Sequence, residues 1–270
     1  MTRRELLVGA TAAGLALSPV ARAVLFADPY APFHMGIQSY SLRGYELPRA
    51  LKEAKALGLS AWEAYPGHVP ATTDAAKLAE LAKLHKDSGV RIHAWGVVGF
   101  DGNEAASRAQ FVFAKKLGIK VISADPAPES FVTLDKLVKE FDIRIAIHNH
   151  GPGARYSTLD QLTKAIDGHD WRVGVCIDTG HALRSKQDPV EWAKTLGKRV
   201  HGCHLKDVKD ATKFTILGEG DLRLDEMVRV LRKQKFDQLM SLEYEEKPED
   251  PREDIKLCLA ATQKAIKASS

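Results

Sequence analysis

The sequence is poor in cysteine, in charge of one sign and in long apolar runs, and each shortage excludes something. Three cysteines occur in 270 residues: Cys176, Cys203 and Cys258. An odd, widely spaced set is no disulfide framework. Cys176 and Cys203 fall in strand-like runs and read as small apolar fillers. The formal net charge is only +4. Arg3, Arg4 and Arg22 against Glu5 account for half of it, so the rest of the chain is close to neutral. That balance gives no electrostatic case for nucleic acid or an acidic membrane as partner. No Gly-rich phosphate turn follows an early strand, and no linker or low-complexity tract marks a second domain.

The longest apolar stretch near the N-terminus, VGATAAGLAL (8–17), is too short to span a bilayer well. It follows Arg3-Arg4 and precedes Ala21-Arg22-Ala23, a small-x-small cleavage signal. Residues 1–23 therefore read as an export signal, and residues 24–270 as the folded domain. Thr2-Arg3-Arg4 before Glu5-Leu6-Leu7 resembles a twin-arginine signal. A plain secretory signal or a chance basic N-terminus is the alternative. The expectation is an exported, periplasmic protein with no stable membrane insertion after cleavage.

What remains is an alternation. Short aliphatic runs at 35–41, 59–65, 90–97, 120–125, 143–149, 172–178, 199–205 and 239–245 read as strands. Segments of helical spacing lie between them, such as LPRALKEAKALG and LDEMVRVLRKQ. Gly58, Gly89, Gly118 and Gly197 read as helix ends, and Asp188 before Pro189 as a helix start. Eight strand–helix units in about 245 residues predict a single-domain α/β fold, a (β/α)₈ TIM barrel. A doubly wound sheet is the alternative.

Side chains alternate inward and outward along a barrel strand. In strand five, Ile143, Ile145 and Ile147 form one face, and Arg144, Ala146, His148 and His150 the other. In the later strands the same sorting sets Gly174, Cys176 and Asp178 together, then Gly202, His204 and Lys206, then Ser241, Glu243 and Glu245. On the inner face a small residue (Ala146, Cys176, Gly202, Ser241) lies two positions before a polar one. His148, Asp178, His204 and Glu243 are thereby predicted to meet at the C-terminal rim, where such barrels build their sites. Two imidazoles and two carboxylates suit one divalent ion: Mn²⁺, Co²⁺, Zn²⁺ or Fe²⁺. Buried carboxylates are costly without a partner, and one cation relieves both.

The stretches GIQSYSLR (36–43), AIHNHGP (146–152), CIDTGHA (176–182), HLKD (204–207), LGEGDL (217–222) and SLEYE (241–245) resemble, in this order, the sugar phosphate isomerase/epimerase proteins of the xylose-isomerase-like barrel superfamily. In much of that family Glu, Asp, His and Glu on strands five to eight hold the ion. Asp178, His204 and Glu243 match the last three, while His148 stands at the strand-five Glu. This departure weakens the case for a symmetric two-base epimerase. His148 and His150 are both left as ligand or base.

The resemblance implies proton removal next to a carbonyl, with the ion stabilising the oxygen on which charge develops. Glu243, His148 or His150 would take the proton. Reprotonation makes an isomerase or epimerase; loss of a β-substituent makes a lyase or hydratase acting on a 3-keto-glycoside or related oxidised sugar. Lys206 matches the family's substrate-contacting lysine, or else pairs with Asp207. Glu63, His93, Trp95, His181 and Glu219 are further candidates for substrate contact, as are Gln38 and Tyr40. Phosphorylated sugars are scarce outside the cytoplasm, so the expected partner is a small-molecule sugar or glycoside without phosphate. A non-catalytic exported sugar-binding barrel is the alternative from a different class. The nuclease branch of the superfamily would need more ligands and a basic groove, and neither is evident.

Overall fold

Eight of the aliphatic runs close into a parallel barrel in a computed structural model that describes residues 28–269. The expected export signal lies outside the described residues. The staves are β1 (His34–Gln38), β2 (Ala61–Ala64), β3 (Arg91–Phe100), β4 (Val121–Pro126), β5 (Arg144–His148), β6 (Val173–Asp178), β7 (Val200–Leu205) and β10 (Leu239–Leu242). Between the last two lies a separate antiparallel pair, β8 (Asp207–Lys209) and β9 (Lys213–Thr215). The closed order β1-β10-β7-β6-β5-β4-β3-β2 is that of a (β/α)₈ TIM barrel.

The helices are α1 (Leu47–Ala56), α2 (Ala75–Ser88), α3 (Glu104–Lys116), α4 (Phe131–Phe141), α5 (Leu159–Ile166), α6 (Thr179–Arg184), α7 (Pro189–Leu196), α8 (Leu224–Lys233) and α9 (Arg252–Ala268). Five of them, α2, α3, α5, α6 and α7, start at a side chain that satisfies otherwise orphaned amides. Asp188 accepts from Val190 N ahead of Pro189, and Thr158 with Gln161 makes a reciprocal capping box. Gly89 and Gly118 follow helix ends at φ 68° and 71°, where a β-carbon would strain the backbone.

Outward residues such as Ile145, Ile147, Val175, Ile177, Leu205 and Leu242 are buried against the helices in one continuous core. Inside the barrel a separate small cluster holds Ala94, Val121, Ala146 and Cys176. Strand register carries the inner row across the late staves: His148 opposite Cys176, Asp178 opposite His204, and His204 opposite Ser241.

Three register shifts break the simple alternation, one of them between Trp95 and Val98 of β3 against Ile122 and Ala124 of β4. Trp62 and Glu63 of β2 pair with Ile92 and Ala94 of β3, so His93 is an extra residue. Val175 and Cys176 pair with Val200 and Gly202, leaving His201 likewise unmatched. Such a one-residue insertion moves everything beyond it to the opposite face.

Candidate metal centre

Each strand end delivers one head group to a common point. His148 is the last residue of β5, Asp178 the last of β6, His204 the penultimate residue of β7, and Glu243 follows β10 directly. All four are buried, and their nearest donor atoms lie within 4.8 Å of one another. His148 Nε2 is 3.1 Å from His204 Nδ1 and 3.4 Å from Asp178 Oδ2. His204 Nδ1 is 4.0 Å from Asp178 Oδ2 and 3.1 Å from Glu243 Oε2.

The donor set fits a divalent cation. Asp178 Oδ2 and Glu243 Oε2 are buried and accept no aligned hydrogen bond. Two carboxylate oxygens left in that state, facing two imidazole nitrogens, are the arrangement a cation stabilises. The rest of Asp178 is tied down. Asp178 Oδ1 accepts from His181 N at 2.7 Å, which caps α6. Asn149 holds the Asp178 backbone through both its amide groups, at 2.8 and 2.9 Å.

Lys206 supplies the cationic group nearest the carboxylates. Its Nζ stands 2.9 Å from both Asp178 Oδ2 and Glu243 Oε2, and it also pairs with Glu245. Burial works against its charge, but Asp178, Glu243 and Glu245 outweigh it and raise its pKa. Burial would likewise push the Glu243 carboxyl up; Lys206 and His204 prevail and bring it to about 2. The alternative pairing of Lys206 with Asp207 is not formed. Asp207 instead accepts backbone amides from Val208, Gly218, Gly220 and Leu222. The 217–222 loop is folded around that carboxylate. A β-carbon on Gly220 would stand 2.4 Å from Asp207 Oδ1, which explains a glycine there.

The cluster opens into a cavity of about 320 Å³ lined by Gln38, Tyr40, Tyr65, Gly96, His148, His150, His181, Lys206, Glu243 and Glu245, among others. The fold, the four head groups at the strand ends and the cavity above them agree with a match of the xylose isomerase-like TIM barrel model over residues 51–261. The chain belongs to that family. An inosose dehydratase of Clostridium botulinum (strain Eklund 17B / Type B) is 25% identical over 134 residues, 43% of this chain. The match spans 45% of that relative, so the chain covers about half the length of the curated relatives it matches. An L-ribulose 3-epimerase superposes with a TM-score of 0.70 at 15% identity, covering 87% of this chain and 95% of the other. The IOLI protein, solved with a bound zinc atom, gives 0.70 at 17% identity, covering 86% and 97%. The last two likenesses are of fold.

Within this xylose isomerase-like barrel the other expected contact residues separate into those that reach the cavity and those that do not. His150 and His181 line it, and burial above all brings each to a pKa of about 4, so both are neutral imidazoles near pH 7. The His150 ring centroid is 4.7 Å from that of His148. His148 is the member of the pair in the ligand cluster.

Four expectations need correction. Glu63 does not face the cavity. It lies behind His204, its Oε2 2.9 Å from Nε2, and its own Oε1 accepts from Gln38 at 3.0 Å. A carboxylate there fixes the ring so that Nδ1 faces the ligand cluster. His93, the bulged residue, lies near the start of β3 and stacks with His34 at the barrel floor. Trp95, beyond the bulge, faces the helices: it packs on Phe113 of α3 and donates to Val69 O at 2.9 Å. Glu219 is exposed and lies outside the cavity lining.

Three residues near or in the site were not anticipated. Tyr65 contributes a wall, edge-on to Tyr40 at 5.4 Å. Phe214 of β9 lies 5.8 Å from the His181 ring and 5.2 Å from Lys206 Nζ. Arg184 donates to His181 Nδ1 at 3.2 Å. The parity argument stopped at the strand ends and carried no signal for groups on α6 or on the hairpin.

Proposed function

We propose that this barrel is a divalent-metal-dependent enzyme that removes a proton next to the carbonyl of an unphosphorylated sugar or keto-sugar. The observation that carries the reading is the buried His148–Asp178–His204–Glu243 cluster, whose two carboxylate oxygens are paired to Lys206 but accept no aligned hydrogen bond, at the base of a cavity lined by polar and aromatic side chains. Those four residues would hold the ion; when bound it supplies Lewis-acid stabilisation of charge on a substrate oxygen. Glu243, at the cavity edge, is the carboxylate placed to take the proton. His150 and His181, neutral at pH 7, offer hydrogen bonds from the facing arc. Lys206 lies beside Glu243 and stabilises negative charge there. Gln38, Tyr40 and Tyr65 close the opposite side with neutral polar groups suited to sugar hydroxyls.

Two outcomes follow from the same first step. Proton-handling groups at two ends of the cluster, Glu243 and the His148–His150 pair, support return of the proton and hence an isomerase or epimerase. Only one of those ends is a carboxylate, and the sequence relatives include dehydratases. This supports loss of a β-oxygen, a lyase or hydratase reaction on an oxidised sugar such as a 3-keto-glycoside. The paired arginines and the small-x-small site in residues 1–23 support export to the periplasm, where a phosphorylated substrate is disfavoured.

The test is a panel of sugars, keto-sugars and keto-glycosides in heavy water with Mn²⁺, followed by mass spectrometry and NMR. Deuterium in recovered sugar is expected for an isomerase or epimerase, and a released fragment for a lyase. Glu243→Gln should abolish either. No exchange and no product with any substrate would sink the enzymatic reading in favour of a binding protein.

A further inference from the structure

We infer that Arg184 is a positioning residue that fixes His181 as a neutral hydrogen-bond donor, its Nε2–H directed at a carbonyl or developing alkoxide oxygen of the substrate. The inference rests on the catalytic reading above and adds to it the tautomer of one residue and the group that sets it.

The argument is one of donors and acceptors. A guanidinium has N–H groups only and cannot accept. Arg184 Nη1 lies 3.2 Å from His181 Nδ1, so that nitrogen must present its lone pair. The ring proton is therefore on Nε2. His181 lines the cavity, and its Nε2 has no hydrogen-bond partner among the described residues. It is held on three other sides. Its backbone N–H donates to Asp178 Oδ1 at 2.7 Å, its ring lies 6.0 Å from that of His148, and Phe214 packs edge-on at 5.8 Å.

Arg184 is itself placed by its surroundings. Its guanidinium lies 5.2 Å from the Phe214 ring centroid. Its other flank passes over Gly151, where a β-carbon would meet Nη1 at 3.1 Å. The glycine after strand five thus leaves room for an arginine from α6, and the hairpin covers it. A donor fixed in advance and aimed at an oxygen that gains charge is worth more than one that must reorient during reaction.

The experiment uses the full-length mature protein loaded with Mg²⁺ as a diamagnetic ion and labelled with ¹⁵N-histidine. The His181 signals are assigned by their loss in His181→Gln. In the wild type the Nε2-protonated tautomer is expected, with Nδ1 unprotonated from pH 6 to 8. Arg184→Glu places an acceptor beside Nδ1 and should move the proton to that nitrogen. With a substrate identified from the sugar panel, the same variant should lose about a hundredfold in kcat with a smaller change in KM. Arg184→Lys, whose ammonium also only donates, should retain the wild-type tautomer and recover most of the loss. An Nδ1–H tautomer in the wild type, or an unaltered tautomer in Arg184→Glu, would overturn the inference. The NMR result stands apart from turnover, so failure of the catalytic reading and failure of this inference are separable.

Discussion

Lys206→Met tests whether the ammonium stands in for the charge of a cation. In the structure Lys206 is 3% exposed, with Nζ 2.9 Å from one oxygen each of Asp178 and Glu243 and paired also to Glu245. Methionine keeps most of the stem and removes the charge. Breaking a buried ion pair from one side costs about 3–5 kcal/mol, because the partner is left uncompensated. At roughly 2–4 °C per kcal/mol for a chain of this size, the metal-free variant should melt on the order of 10 °C below metal-free wild type. A divalent ion should reverse this, since it neutralises the same two carboxylates. Binding at a hundred times Kd stabilises by about 2.7 kcal/mol. The variant should gain more than the wild type, because no ammonium opposes the ion. The assay is thermal unfolding by circular dichroism, with EDTA and then with a Mn²⁺ titration. Equal melting temperatures in EDTA, or an equal Mn²⁺ gain in both proteins, would refute the reasoning.

Other outcomes follow from single contacts. Glu63→Gln should weaken metal affinity about 10–100-fold, measured by competition with a chelating dye, because the group that orients His204 loses its charge. Asp207→Asn turns an amide N–H toward one of the backbone donors now bound to the carboxylate. It should cost about 1–3 kcal/mol and speed hydrogen exchange at Gly218–Leu222, with little change at the barrel strands. Stability should also fall as the solution is acidified from about pH 6.5 toward 4. Burial is the leading cause that lowers His93 and His201 from 6.5 to about 4, so the unfolded chain takes up these protons first. The stability each contributes is present in full above 6.5 and is lost on the way down, with a slope of up to ~1.4 kcal/mol per pH unit between there and about 4. His93→Gln should flatten the difference between urea unfolding at pH 7 and pH 5; identical differences in the two proteins would contradict it.

The legibility of the site followed the regularity of the strands. From β5 to β10 the inner row runs in register at its C-terminal end, and counting by twos brought His148, Asp178, His204 and Glu243 together. In β3 the same count failed because of one extra residue at His93, which nothing in VRIHAWGV signals. Trp95 consequently faces α3 instead of the cavity. Glu63 had the right parity, but its role depends on depth and on the ring of His204 across the barrel, which alternation does not encode. The β8–β9 hairpin was also hidden. Its turn uses Asp210 and Ala211 at φ 55° and 54°, without the Asn-Gly or Asp-Gly pair that normally marks such a reversal. With it went Phe214, and Arg184 on the short α6 lay beyond the reach of the strand argument.

Ala94, Val121, Ala146 and Cys176 form a thin floor one residue layer below the four clustered head groups. There is little slack in it: a β-carbon on Gly202 would already stand 3.1 Å from Cys176 Sγ. The spacing of the heads is thus governed from underneath, by how much volume the barrel's middle storey contains. Enlarging Ala146 or Gly202 should splay the donors without touching any of them, so the preference for the proposed ion should shift through substitutions that line neither the cluster nor the cavity.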